Sequence, residues 1–184
     1  SNPLRLVSTN AGSYGGLLAL RRDEAHLAGC HLLDPSTGTY NVTEVRRVLH
    51  GRDITLVNFV LREQGLIVQP GNPLQLRSVH DLTMNNVRFV NRLRGSGTRM
   101  LLEHLLSCEK IEPDSIRGYA HEQYTHLAIA ADVKNGTADV GLGVRSAAQA
   151  LETDFVPIGM ERYALVIPNE HLNVPAVAAL QKIL

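Results

Sequence analysis

The sequence predicts an α/β protein with mainly parallel sheets, and three observations support that class. Short apolar runs alternate with helical patterns along almost the whole chain, as in strand–helix–strand units. The turns that lead from a strand into a helix carry Ser, Thr and Gly, and such turns bind ligands in open α/β sheets. The chain has 184 residues, 44% of them hydrophobic, which suffices for one domain or two small lobes.

Charge and composition argue against several classes of function. With 18 basic and 18 acidic side chains the formal net charge is zero, which argues against nucleic-acid binding by this chain itself. Aromatic residues make up only 4% of the chain and Trp is absent, so a site built on aromatic stacking is poorly supplied. Cys30 and Cys108 are far apart and outside any C-x-x-C motif, which favours two free thiols in a reducing compartment over a single disulfide.

The sequence shows neither a membrane span nor a secretion signal. It contains no apolar run of about 18 residues, and its N-terminus lacks the basic and apolar regions of a signal peptide. We therefore expect a cytoplasmic protein, because a periplasmic location would require that a signal peptide has been removed.

In the N-terminal half, apolar β-rich runs bounded by turn residues predict strands, and apolar residues at helical spacing predict helices. Asp34-Pro35 ends one buried run, Thr43 is a helix N-cap, and Ser78 starts a short helix. The other elements follow the same rules, with strands at 4–7, 25–33, 54–60 and 66–68 and helices at 17–24 and 44–49.

In the C-terminal half the same patterns continue to the last residues. Asn135-Gly136 ends the helix that begins at Thr125, and two glycines punctuate the strand that follows. The other predicted elements are strands at 87–90, 116–119, 138–144, 155–158 and 163–167, and helices at 100–106, 146–151 and 175–184.

The turn at 91–99 is the most informative stretch of the chain. Its glycines let backbone approach a ligand closely, and its hydroxyls lie at a helix N-terminus, where unpaired N–H groups favour an anion. Its arginines add full charge in a forked geometry that suits an oxyanion. The residues concerned are Gly95, Gly97, Ser96, Thr98, Arg92, Arg94 and Arg99. The turn therefore predicts a bound anion, with a capped surface helix carrying scattered arginines as the alternative.

Two other strand-to-helix turns carry related chemistry. Ser13 is a second candidate donor at a helix N-terminus, with an ordinary Ser cap as the alternative. Tyr124-Thr125 precedes a third helix. Several helix N-termini that point at one cleft would hold an anion, and no nucleophile–base pair accompanies them, so binding rather than catalysis is expected.

Several segments resemble the periplasmic-binding-protein-like domain of the molybdate-binding type. The resemblance covers nearly the whole chain and rests on residues 12–20, 31–41, 62–68, 71–73, 91–99, 124–126 and 161–163. This family resembles type II solute-binding proteins, which implies two α/β lobes with a ligand cleft between them.

The resemblance implies a domain that senses or captures molybdate or tungstate, with no cofactor and no metal except as the oxyanion. The residues expected to bind it, including Tyr40 from a resembling segment, are Ser13, Tyr40, Arg92, Arg94, Ser96, Gly97, Thr98, Arg99, Tyr124 and Thr125. Many members are fused to a helix-turn-helix segment or a molybdopterin-biosynthesis enzyme. DNA would therefore be a partner only through a fused segment outside this chain.

The turn also resembles the phosphate-binding loop Arg-x-Asp-x-Ser-Gly-Thr of related solute-binding proteins. Arg92 and residues 96–98 match that loop, while Arg94 stands at the position of the Asp. A carboxylate can accept the proton of hydrogen phosphate but repels an anion that has no proton, and arginine reverses both effects. We therefore expect a preference for a fully deprotonated dianion such as molybdate, tungstate or sulfate.

One departure from the family concerns the N-terminal lobe. In the family, a strand, a Gly-Ser-His-Asp turn and a helix precede the region that matches 4–20, and this sequence contains no Gly-Ser-His-Asp. We expect a first lobe at 1–68 and 163–184 that lacks its first strand–helix unit, a second lobe at 73–158, and hinges near 65–72 and 159–163. The open strand edge would favour self-association into a homo-oligomer.

Two other classes of function remain as alternatives. An enzyme is disfavoured because His121 and His126 lack the spacing of a zinc helix and Gly95-Ser96-Gly97 lacks the spacing of a nucleophile elbow. The second alternative is the effector-binding domain of a transcription regulator, because a small organic acid could use Arg92, Arg99 and the same helix ends.

Overall fold

The structure is a computed structural model that describes residues 5–183. The helices are α1 (Gly12–Arg21), α2 (Val42–Val48), α3 (Gly97–Glu109), α4 (His126–Lys134), α5 (Arg145–Ala150) and α6 (Pro175–Gln181). The strands are β1 (Ala28–Cys30), β2 (Leu33–Asp34), β3 (Thr39–Tyr40), β4 (Ile54–Val68), β5 (Phe89–Arg92), β6 (Glu122–Gln123), β7 (Val140–Val144) and β8 (Asp154–Pro168). None of the described helices has the length and apolar character needed to cross a membrane.

The chain divides into two compact units. Unit 1 comprises Ser1–Val60 and Arg162–Leu184, and unit 2 comprises Leu61–Glu161. The strands β4 and β8, each 15 residues long, carry the chain from one unit to the other. The predicted α/β class is therefore confirmed.

The strand pairing is mixed, whereas the sequence predicted mainly parallel sheets. The hydrogen-bonded order is β1, β8, β4, β7, β5 and β6. Strand β5 pairs parallel with β6 and β7, but β4 pairs antiparallel with β7 and β8 pairs antiparallel with β1. Helices α3 and α4 separate β5, β6 and β7 in sequence, and parallel neighbours require such crossover connections.

Unit 2 contains the larger part of the core. Apolar side chains of β5 and β7 pack against α3 on one side and against α4 and α5 on the other. Fully buried members include Phe89, Leu102, Leu106, Ile129 and Leu142. Arg88 and Asp139 secure the start of the sheet, because the Arg88 guanidinium and backbone N–H all donate to the Asp139 carboxylate. This charged contact holds the pKa of Asp139 below its usual value.

Unit 1 has a smaller apolar core. Leu165 and Ile167 of β8 pack with Val177 of α6, and α1 lies against β1. The short pair β2–β3 forms an antiparallel hairpin whose register places Leu33 opposite Tyr40.

The structure differs from the predicted elements at several places. Leu4 lies outside the described residues, and 5–7 form no strand but expose Leu6 and Val7. The strand predicted at 116–119 is a turn, because Gly118 has a φ of 91° and the Tyr119 N–H bonds the carbonyl of Ile116. The strand pairs predicted at 54–60 with 66–68, and at 155–158 with 163–167, are the continuous strands β4 and β8.

Close packing of β4 in unit 2 generates a stability prediction. A Cβ at Gly65 would overlap the carbonyl oxygen of Val156 and the ring of Phe155, so we expect Gly65→Ala to lower the free energy of unfolding by about 1–3 kcal/mol. Gly159→Ala is the matched control, because a Cβ at Gly159 meets nothing within 4 Å. Urea denaturation measures both variants. Equal stability of the two would show that β4 and β8 are not packed as described.

Candidate functional site

The N-terminus of α3 lies directly after β5, at the turn that the sequence singled out. Gly95 has a φ of 80°, which turns the chain sharply between Arg92 and the helix. Ser96 is the N-cap, and its hydroxyl accepts a hydrogen bond from the Arg99 N–H at 3.2 Å. The N–H groups of Gly97 and Thr98 belong to the first turn, so they have no acceptor within the helix. Ser96 thus has the capping role that the alternative interpretation gave it, and the N-terminus of this 13-residue helix carries a partial positive charge.

A buried polar cluster covers this helix N-terminus. It consists of Arg62 and Gln64 from β4, Glu161 from β8 and Thr98 from α3. Arg62 and Glu161 form an ion pair. The side-chain amide of Gln64 donates to Glu161 Oε2 at 2.6 Å and to Thr98 Oγ1 at 2.9 Å. Gln64, Glu161 and Thr98 are each at most 2% exposed, so the cluster lies in a low-dielectric environment.

Arg92 is a second cation of the site and is buried, and it forms no ion pair with a carboxylate among the described residues. It is 7% exposed, its Nη1 donates to the Gln123 carbonyl at 3.3 Å, and its Nε has no hydrogen-bond partner among the described residues. Burial, together with the nearby charge of Arg62, lowers the pKa of Arg92 to about 10, while Glu161 acts in the opposite direction. The guanidinium therefore remains charged at neutral pH.

Arg99 is buried like Arg92 but is already fully engaged. Its Nε donates to Glu103 at 2.8 Å and its Nη1 to Glu122 at 3.2 Å. Its Cζ lies 4.2 Å from the ring centroid of Tyr119, within cation–π distance. Through these contacts Arg99 holds α3 against β6. Its contact with a ligand stays a prediction.

Three more of the predicted residues lie near this end of unit 2 without joining the cluster. The Arg94 side chain is 83% exposed, with Nε 3.8 Å from Glu122. Tyr124 is 64% exposed. Thr125 caps α4, where its hydroxyl accepts from the Ala128 N–H at 3.0 Å. Their roles in ligand binding remain predictions.

The remaining two predicted residues, Ser13 and Tyr40, belong to unit 1. Ser13 is buried in the first turn of α1, and its hydroxyl accepts from the His31 N–H at 3.2 Å. It is not the N-cap, which is Ala11. Tyr40 lies on β3. Ligand binding by these two residues also remains a prediction.

Unit 1 contains a surface cavity of about 320 Å³ that none of the predicted residues lines. Its walls include Val45, Leu49 and Arg52. Arg52 is occupied by Asp23, Glu170 and the Leu20 carbonyl, so it offers no free charge to a ligand. Within residues 5–183, no group of three or more His, Cys, Asp or Glu side chains is placed to hold a metal ion.

Arg62, Gln64 and Glu161 are the site residues that sequence reasoning missed. All three lie in short polar stretches, 62–64 and 161–162, that interrupt the apolar pattern of β4 and β8, and this interruption led to the prediction of two short strands where one long strand exists. The usable signal was the charge itself. A charged residue in the interior of a buried strand needs a partner, and Arg62 and Glu161 are of opposite sign.

The buried ion pair between Arg62 and Glu161 predicts a larger loss of stability than an exposed ion pair does when its carboxylate is removed. Glu161→Gln removes the carboxylate that faces the guanidinium groups of Arg62 and Arg92, so we expect a loss of about 3–5 kcal/mol in the free energy of unfolding. Glu152→Gln is the matched control, because Glu152 is 86% exposed beside Lys134 and such pairs contribute little. Chemical denaturation at neutral pH gives both values. A Glu161→Gln variant as stable as the control would refute the buried pair.

Sequence and structure comparisons identify the family. The model of the PBP superfamily domain matches residues 1–184. The chain is 37% identical to YvgK of Bacillus subtilis (strain 168) over 163 residues. These residues make up 88% of this chain and 53% of YvgK. The chain therefore spans about half the length of YvgK. It is 38% identical over 86 residues, 46% of this chain and 76% of the relative, to a Clostridium pasteurianum protein named for the 5' region of a 2Fe-2S ferredoxin gene.

Solved structures with the same fold include an effector-binding domain, a regulatory domain and a methylphosphonate complex. The QuiR effector-binding domain in complex with shikimate has a TM-score of 0.65 at 17% identity, over 93% of this chain and 75% of that one. The Synechocystis PCC6803 CcmR regulatory domain in complex with 2-PG has a TM-score of 0.64 at 15% identity, over 94% of this chain and 78% of that one. PhnD1 from Prochlorococcus marinus (MIT 9301) in complex with methylphosphonate has a TM-score of 0.62 at 17% identity, over 90% of this chain and 64% of that one. At these identities the likeness shows the fold alone. The chain belongs to the PBP superfamily and has the two-lobed type II fold of PBP-like domains.

Proposed function

We propose that this chain binds a small anion at the N-terminus of α3, with molybdate or tungstate as the expected ligand. The observation that carries the proposal is Arg92, a buried and charged guanidinium whose Nε has no hydrogen-bond partner among the described residues and which shares the nearby charge of Glu161 with Arg62. A buried charge is costly unless it is paired. An anion bound beside Arg92 would supply the missing pair.

The groups around Arg92 suit an anion that needs hydrogen-bond donors. The first-turn N–H groups of Gly97 and Thr98 and the Thr98 hydroxyl all lie at the N-terminus of the same helix. Arg62 and Arg92 carry two positive charges, and Glu161 carries one negative charge, so the cluster retains a net positive charge. In these buried surroundings charge-assisted hydrogen bonds are stronger than at the surface.

The expected preference for a fully deprotonated anion rests on the sequence of the turn. Where the phosphate-binding loop has an acceptor carboxylate, this chain has Arg94, whose side chain is 83% exposed outside the cluster and provides no acceptor to the site. Molybdate, tungstate and sulfate carry no proton at neutral pH, whereas phosphate retains one. Hydrogen phosphate would therefore meet fewer acceptors here than in that loop.

An organic acid is the second candidate, and the structural neighbours support it. QuiR is an effector-binding domain with shikimate bound, and the CcmR domain is regulatory. A carboxylate could occupy the place beside Arg92 in the same way. In this case the chain would be the effector-binding domain of a regulator. Any contact with DNA would then be made through a fused segment outside this chain.

Ligand titration distinguishes the two candidates. We expect molybdate or tungstate to raise the melting temperature more than phosphate or shikimate at equal concentration, because these anions match the donors. Saturation at 100 times the dissociation constant corresponds to about 2.7 kcal/mol of added stability. Calorimetric titration with each compound then gives the affinities. A larger response to shikimate would favour the organic acid, and a larger response to phosphate would contradict the predicted selectivity.

The site itself is tested by removing Arg92. Arg92→Ala deletes a charge-assisted donor worth about 1.5–3 kcal/mol, so we expect at least about a tenfold loss of molybdate affinity. Arg77→Ala is the matched control, because Arg77 is an exposed arginine of unit 2 outside the site. If both variants bind molybdate as the unmodified chain does, the anion does not contact Arg92.

A further inference from the structure

The orientation of the Gln64 side-chain amide carries information about Thr98. Gln64 Nε2 donates to Glu161 Oε2 at 2.6 Å and to Thr98 Oγ1 at 2.9 Å, while Gln64 Oε1 has no partner among the described residues. Exchanging the amide oxygen and nitrogen would place Oε1 against a carboxylate oxygen at that short distance. The carboxylate, paired with Arg62, therefore determines which end of the amide faces Thr98.

This orientation determines how the Thr98 hydroxyl can act. A hydroxyl group has one hydrogen to donate, and Thr98 Oγ1 already accepts from Gln64. No described residue accepts the hydrogen of Thr98 Oγ1. The hydroxyl hydrogen therefore remains available to an oxygen atom that approaches the first turn of α3, and one acceptor position of Oγ1 is used.

We propose that Gln64 and Glu161 are specificity-determining residues, which act through Thr98 rather than on the ligand. The series Arg62–Glu161–Gln64–Thr98 makes the Thr98 hydroxyl a donor toward the anion rather than an acceptor for its proton, so the site favours an anion none of whose oxygens carries a proton. This inference rests on the proposed function, since it concerns the selectivity of that same site. The inference adds Gln64 and Glu161 as the residues that make the site prefer molybdate or sulfate to hydrogen phosphate.

The Gln64→Glu substitution should reverse the direction of the series. The new carboxyl group would lie beside that of Glu161, and two adjacent carboxyl groups hold one proton between them, so the substituted side chain would present an oxygen to Thr98. Thr98 would then donate inward and offer an acceptor to the anion. For Gln64→Glu we expect the ratio of molybdate affinity to phosphate affinity, measured by calorimetry at one neutral pH, to fall by about tenfold.

Companion variants separate this effect from a loss of stability. Thr98→Ser keeps the hydroxyl and should keep the ratio, whereas Thr98→Val removes the hydroxyl and should lower it. In the Thr98→Val background, Gln64→Glu should change the ratio no further, because no hydroxyl remains to be oriented. Should Gln64→Glu fail to fold, Gln64→Met removes the amide donor, frees the hydroxyl to rotate and should move the ratio toward one.

The outcomes distinguish the inference from the function on which it rests. If the unmodified chain binds neither molybdate nor sulfate nor phosphate, the proposed function fails and this inference fails with it. If it binds molybdate preferentially and a folded Gln64→Glu or Gln64→Met variant keeps the same ratio, the function stands and the role of Gln64 is overturned. A merely structural Gln64 would change melting temperature but not the ratio.

Discussion

Buried positive charge at the start of α3 is the constraint on which the candidate site of unit 2 depends. Arg62 and Arg92 both lie near Glu161, so two guanidinium charges face one carboxylate, and the helix N-terminus adds a further partial positive charge. Moving a charge out of water is unfavourable by several kcal/mol unless it is paired. The pKa of Arg92, lowered by burial to about 10, reports the same cost. The anion that we propose would compensate this charge.

The rest of unit 2 is arranged so that this charge stays in place. Strand β4 positions Arg62 and Gln64, and strand β8 positions Glu161, all within continuous hydrogen-bonded sheet. Arg99 holds the first turns of α3 through its contacts with Glu103 and Glu122. These contacts limit the freedom of the groups near Arg92. A site on such elements is held more rigidly than one on a loop.

The α/β class and the turn before α3 could be predicted from sequence because each rests on local chemistry. Ser78 starts its short helix as predicted, whereas the prediction of Thr43 as an N-cap is wrong, because α2 begins at Val42 with Asn41 as the N-cap and the Thr43 hydroxyl donates to Asp34. The partners of the arginines could not be predicted, because Glu161 is 99 residues from Arg62 in sequence and pairs with it only through the meeting of two strands. The same limit explains why Arg92 and Arg99 looked equivalent in sequence, although Arg99 forms ion pairs with two carboxylates and Arg92 only lies near Glu161, which is paired with Arg62.

The central claim is that an anion binds beside Arg92 at the N-terminus of α3. Its most direct test is a crystal structure of the protein grown with tungstate, in which the anomalous scattering of tungsten locates the anion independently of any model. We predict one strong anomalous peak within hydrogen-bond distance of the Arg92 guanidinium and Thr98 Oγ1. A crystal that contains tungstate only at surface arginines, or that shows no peak at this helix end, would contradict the account.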